Sequence, residues 1–294
     1  MIQIIPVINN KGGIGKTTTA VNVAAGLARR GKRTLLIDLD SQGSASTSLG
    51  LAETDRSITA ALHGEMPFGM TVHKTHLPKL SISPSSFSLS STSTRLAALP
   101  DRVSRLLQVL TPVRMAYDVI IIDCAPSASL LSVNALVAAD AFIVPVTPDY
   151  LSIQGLATFD EMVRNVRLAI GHVAPILGVL LTQATAGTEQ TREVNEKLRH
   201  RYGGKVLDTI VRPDEALQEA PVLGVDVFEY APESKGAIDY GAVVDEIASR
   251  ISRYSAVFPD TGAGYISATR AAAIEAVADL DGPDLQAEEV DLEV

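Results

Sequence analysis

Tryptophan is absent from the 294 residues, phenylalanine and tyrosine together make up only 4%, and there is one cysteine. Each shortage excludes something. A core this poor in aromatics must be built from Val, Ile, Leu and Ala. A single thiol, Cys124, cannot supply an internal disulfide or a cysteine-based metal cluster, and it fits a reducing cytoplasm. Beside a strand-end aspartate, Cys124 reads as a small buried hydrophobe rather than a nucleophile. No apolar run reaches ~18 residues, and Met1 leads straight into an apolar segment without a basic leader. We therefore expect neither membrane insertion nor a signal peptide. His63, His73 and His76 have no acidic or cysteine companion at ligand spacing and read as surface residues.

Apolar residues make up 46% of the chain and charged residues 20%, a globular balance with enough length for a sizeable core. The net charge of −9 is unevenly placed. From Ser255 onward nine acids stand against Arg270 alone, so the last forty residues hold −8 of it. Residues 1–254 read as one domain, with no internal repeat. Residues 255–294 read as an acidic, largely disordered tail with an Ala-rich helical segment at 268–278. Such a tail is either a solubilising end or an internal competitor for a phosphate-binding face.

The stretch from Ile4 to Thr18 organises the rest. An apolar strand runs into Lys11-Gly12-Gly13-Ile14-Gly15-Lys16-Thr17-Thr18, a glycine-rich turn at a helix start. Such a turn points backbone N–H groups into a concavity, and the helix adds its positive end, so the ligand it suits is a triphosphate. Lys16 is placed for the β- and γ-phosphates and Thr17 for magnesium. The usual phosphate-loop pattern wants glycine six residues before the lysine, where this chain has Asn10, and it has no counterpart to Lys11.

Downstream, the apolar run 33–39 ends in Asp38 and Asp40, followed by Ser41-Gln42-Gly43. A second run, 118–122, ends in Asp123. Strand-end carboxylates sit where open α/β sheets bind ligands, and Asp123 suits a magnesium-bound water. Further strands are read at 80–82, 141–146, 176–181 and 208–212. Helices are read at 16–30, 101–110, 127–139, 153–171, 189–202 and 235–254. This alternation predicts an α/β fold, a doubly wound and mostly parallel sheet with helices on both faces.

The octapeptide resembles the deviant Walker A loop of the ParA/MinD class of ATPases, whose signature is the extra lysine. The segments Asp38–Gly43, Tyr117–Pro126, Ala220-Pro221 and Tyr230–Ala237 extend the likeness to the ParA/Soj branch, over residues 2–254. The resemblance implies ATP or ADP with Mg2+, and a nucleotide-sandwich homodimer in which Lys11 reaches the partner's phosphates. It implies that Lys16, Thr17 and Thr18 serve the chain's own nucleotide and that Asp40 positions the attacking water. Thr182, Gln183 and Pro213 fall where the family surrounds adenine. No guanine motif is present, so ATP is preferred to GTP. The resemblance further implies non-specific binding of double-stranded DNA, slow hydrolysis stimulated by a ParB-type partner, and work at the nucleoid in chromosome or plasmid partition.

Two departures bear on DNA. Family members carry an arginine before the helix near Glu189 and another before the Glu-Ala-Pro stretch; Gly187 and Ala216 stand there. Arg199, Arg201, Lys235, Arg250 and Arg253 are the substitutes we consider, since phosphate contact needs only clustered cations. Rival readings share the core chemistry: a switch that positions a protein cargo over the nucleoid, or a pure nucleotide switch with negligible turnover. A MinD-like membrane regulator would need a basic amphipathic C-terminal helix, which the acidic end does not offer. Nitrogenase-iron-protein-like chains need cluster cysteines, and dethiobiotin-synthetase-like chains lack the extra loop lysine.

Overall fold

The computed structural model describes residues 4–171 and 173–257; the tail and its segment 268–278 lie outside the described residues. The strands are β1 (Ile4–Val7), β2 (Thr34–Leu39), β3 (His73–Lys74), β4 (Leu80–Ser83), β5 (Val119–Cys124), β6 (Phe142–Val146), β7 (Ile176–Leu181) and β8 (Val206–Ile210). Among the described residues they form one sheet, ordered β3-β4-β2-β5-β1-β6-β7-β8. All pairings are parallel except β3 with β4.

The helices are α1 (Lys16–Arg29), α2 (Ser44–Ser48), α3 (Ile58–Leu62), α4 (Thr92–Ala97), α5 (Arg105–Leu110), α6 (Leu130–Ala138), α7 (Tyr150–Ile170), α8 (Glu189–Tyr202), α9 (Ala216–Glu219), α10 (Val227–Tyr230) and α11 (Lys235–Val257). They cover both faces. One core contains residues of α3 to α8, such as Leu106, Leu136 and Phe159; the other is built with α1 and α11 through Val23, Leu27, Tyr240 and Val244. Both consist mainly of Val, Ile, Leu and Ala, which is why the central strands read as unbroken apolar runs.

Some boundaries move. β8 runs over 206–210 instead of 208–212, because Val206 and Leu207 supply its buried part. α7 starts at Tyr150 rather than 153, since Asp149 caps it by accepting from the Ser152 amide. α6 starts at Leu130, capped by Ser129, and α5 only at Arg105. The two-residue β3 carries no periodic signal and was not expected.

The exposed edge of β8 is blunted by Glu246 of α11, whose carboxylate accepts from the amides of Asp208 and Thr209. Two of the histidines are not free surface residues. The His63 side chain is packed in, with Nε2 3.0 Å from Thr92 Oγ1. His76 stands 3.1 Å from both Asp226 and Glu229, acids 150 and more residues downstream that spacing rules do not connect. Arg29 bonds both of those carboxylates, so the cluster reads as an ion-pair network tying α1 to α10.

Candidate functional site

Topology brings the site together. β1 lies between β5 and β6, so the loop Ile8–Gly15 leaves the sheet centre and delivers Lys16 at the start of α1. Gly13 and Gly15 have φ of +71° and +78°, the left-handed region in which a side chain is strained. α1 has no side-chain cap and no acid in its first turn. Its first amides and the positive helix end are thus left for an anion. Lys16 is 93% buried with its ammonium 2.6 Å from the Lys11 carbonyl oxygen. Burial lowers its pKa, against the attraction of Asp123, Cys124 and Asp40.

The carboxylates arrive on neighbouring strands. Asp38 of β2 and Asp123 of β5 are register partners, and both are fully buried. Thr17 Oγ1 donates to one Asp123 oxygen at 2.7 Å; the other oxygen, Oδ1, is buried with no partner among the described residues. Burial and the nearby Asp38 push the Asp123 pKa well up. A hydroxyl, a buried carboxylate with one oxygen unsatisfied and no soft ligand form a donor set that fits magnesium. Burial likewise pushes the Cys124 thiol up, consistent with an inert buried residue.

Asp38 has a task not read from the sequence. Its Oδ2 accepts from the Ser46 amide and hydroxyl at 2.8 and 2.7 Å, and its Oδ1 from the Asp40 amide at 3.2 Å. It thereby fixes the turn that presents Asp40, one residue beyond β2. Asp40 caps that turn with one oxygen, which accepts from the Gln42 amide at 3.0 Å. Among the described residues its other oxygen has no hydrogen bond.

Lys11 turns outward from its own loop. Its ammonium bonds both oxygens of Asp149, at 2.7 and 2.9 Å, and the Ser152 hydroxyl at 2.7 Å. Although partial burial raises the Asp149 pKa, the bonds from Lys11, Thr147 and Ser152 outweigh it and hold the carboxyl below the usual range. Tyr150 and Leu151, the next two residues, are 70% and 65% exposed. Two exposed residues therefore follow Asp149, the partner of Lys11, at the start of α7. Neither Asp149 nor Ser152 carries a sequence signal beyond the helix cap.

Thr182 and Gln183 reach the loop from the end of β7, by bonds to the Ile14 and Gly13 carbonyls respectively. Pro213 lies just past β8. The basic candidates differ in state. Arg199 is paired with Asp208 and Arg201 with Asp160, while Lys235 and Arg253 are exposed with no ion pair among the described residues. Arg250 is different. Its guanidinium donates to the carbonyls of Leu177, Lys205 and Val206 and to Glu246, so we assign it a structural role and remove it from the DNA set. The absent arginines also have reasons. Gly187 has a φ of +82°, where arginine would be strained, and Ala216 is buried, where a guanidinium would be desolvated.

A glycine loop at a helix start, a buried lysine, a hydroxyl and strand-end carboxylates together define a P-loop nucleotide-binding site on a parallel sheet. The family model described as an AAA domain matches residues 2–173. The sporulation initiation inhibitor protein Soj of Bacillus subtilis is 36% identical over 251 residues, covering 85% of this chain and 99% of its own. The chromosome partitioning protein ParA of Caulobacter vibrioides is 35% identical over 253 residues, with 85% and 95% covered. The structure of cobyrinic acid a,c-diamide synthase from Mycobacterium smegmatis with bound ADP and magnesium superposes with a TM-score of 0.72 at 29% identity, covering 83% and 93%. The chain belongs to the ParA/Soj family of P-loop ATPases.

Proposed function

We propose that the chain is an ATP-driven positioning switch of the partition type. It binds MgATP in the phosphate loop, pairs with a second copy across that face, and binds double-stranded DNA without sequence preference in the paired state. Hydrolysis, slow alone and stimulated by a ParB-type adaptor, returns it to single chains in the cytoplasm, off the nucleoid. The observation behind this reading is Lys11. The signature lysine faces away from its own loop, beside exposed Tyr150 and Leu151, where a second copy would meet it.

Within the site, Lys16 compensates the β- and γ-phosphate charge, and Gly12 to Thr18 supply the cradle. Thr17 and Asp123 would hold magnesium, the latter through a water, with Asp40 nearby; the ion supplies further charge compensation on the phosphate oxygens. Asp40 orients the attacking water in this reading; its amide donates to Asp38, which Ser46 in turn fixes. Slow turnover is expected because, among the described residues, no arginine bonds the loop, Asp40 or Asp123, so transition-state charge stays under-compensated until a second subunit or adaptor acts. Pro213 is proposed beside the adenine. Lys235, Arg253, Arg199 and Arg201 are proposed for DNA, with partners that are phosphates rather than base edges. A protein cargo in place of a centromere would use the same switch with a different adaptor.

The test is solution mass by light scattering. Asp40→Ala, which retains unhydrolysed nucleotide, should double from 31.1 kDa with MgATP and not with MgADP, and Lys11→Ala should abolish the doubling. A single-chain mass in every state would overturn the reading.

A further inference from the structure

Two carbonyls of the phosphate loop are held from outside it. Gln183 Nε2 donates to the Gly13 carbonyl at 2.8 Å, and Thr182 Oγ1 donates to the Ile14 carbonyl at 2.9 Å. In a trans peptide the carbonyl and the following N–H point in opposite directions. Holding the Gly13 carbonyl toward the end of β7 therefore turns the Ile14 N–H away from it. Holding the Ile14 carbonyl does the same for the Gly15 N–H. Neither amide has a backbone or side-chain acceptor among the described residues. Lys11 differs: its carbonyl turns to the other side and accepts from Lys16.

Gln183 occupies an unusual conformation to do this. Its φ of +52° makes it the one non-glycine residue in the left-handed region among the described residues. Such a placement costs energy unless the surroundings impose it, and it recurs at functional sites. Thr182 is buried, held just past β7 by the hydrogen bond its amide donates to the Val146 carbonyl of β6, so the pair is an anchored support with an exposed tip.

We infer that Thr182 and Gln183 are positioning residues for the phosphate loop: they orient two peptide groups so that the Ile14 and Gly15 amides face the nucleotide's phosphates. This rests on the loop being the nucleotide site. It differs from a role beside the adenine, because it requires no contact with the base.

The test uses Gln183→Gly and Gln183→Asn in the full chain. Both keep the left-handed backbone accessible; glycine removes the donor and asparagine is one methylene too short. Binding is measured by competition against a fluorescent ATP analogue, with MgATP and with inorganic tripolyphosphate plus magnesium as competitors. The expected result is a loss of roughly 5- to 20-fold for both competitors, as for one good hydrogen bond's worth of orientation, with an unchanged or higher thermal midpoint. Gln183→Lys, which restores a donor, should recover most of the loss. A loss confined to MgATP would mean contact with the base and overturn the inference, as would unchanged binding of both competitors. A lowered midpoint matching the affinity loss would mean a general structural role and overturn it too. Failure of the parent chain to bind either competitor would instead sink the nucleotide-site reading itself.

Discussion

The charges around the phosphate loop and the arginines of α8 obey opposite rules. At the loop, Lys16, Asp38 and Asp123 are buried, and Asp123 keeps an oxygen with no partner among the described residues. On α8, Arg192, Arg199 and Arg201 are exposed and each faces an acid at 3.2 Å or less. A buried, incompletely satisfied charge is costly and persists where a ligand completes it. An exposed, satisfied pair contributes little and says little about function. The contrast separates a loop whose buried charges await a ligand from a surface whose charges already satisfy one another.

The largest test of the contrast is Lys16→Ala. Removing the buried ammonium should weaken MgATP binding by roughly 100-fold or more, since charge-assisted bonds to phosphate are lost in a shielded site; fluorescent nucleotide titration reads it. An effect under about threefold would place the triphosphate elsewhere.

Arg250→Ala should cost about 1–3 kcal/mol in denaturant unfolding, because the part-buried carbonyls it serves lose their donor. Arg199→Ala, one exposed partner of a surface pair, should cost less than about 0.5 kcal/mol. Equal costs would erase the distinction between the two kinds of charge.

Asp123 sharpens the electrostatic side. Its pKa is raised in the fold, so the folded chain holds that proton to higher pH than the unfolded chain does. Stability of the nucleotide-free protein should then fall as pH rises from the unfolded carboxylate value near ~4 through the raised folded value. Asp123→Asn should reduce that slope, leaving the part carried by Asp38, whose pKa burial also raises. At neutral pH it should raise the nucleotide-free midpoint by a few degrees, as ~1 kcal/mol does in a domain of this size, while magnesium no longer strengthens nucleotide binding. A lowered midpoint would contradict the burial argument.

A further modest effect concerns Asp149→Asn. Asparagine still offers an oxygen to the Ser152 amide that starts α7, while the half-exposed pair with Lys11 and an acceptor for the Thr147 and Ser152 hydroxyls are lost, and stability should fall by about 1 kcal/mol. With Lys11 freed, ATP-driven association should be unchanged or tighter. Weaker association would show that Asp149 itself belongs to the productive interface.

Much of the fold was legible because buried parallel strands print unbroken apolar runs and the loop prints glycines and lysines in order. The ends Asp38, Asp40 and Asp123 followed from strand register. What could not be read depends on long-range contact. Thr182 and Gln183 meet the loop across some 170 residues of sequence, His76 meets Asp226 across 150, and Lys11 meets Asp149 across 138. Arg250 looked like any surface cation in a charged helix, and only its four acceptors reveal its structural use. Gly187 and Ala216 looked like losses, and become intelligible once φ and burial are known.

The most direct measurement is binding of a non-specific DNA duplex with MgATP, with MgADP and without nucleotide, across a salt series, for the parent and Asp40→Ala. The account predicts binding with MgATP alone, weakening on the order of 10- to 100-fold between about 50 and 200 mM salt as a few phosphate contacts are released. Loss of that binding in the double variant Lys235→Ala/Arg253→Ala would place it on the proposed face. No binding in any state, with ATP-driven pairing intact, would contradict the DNA-based reading and leave a nucleotide switch whose track is a protein or membrane surface.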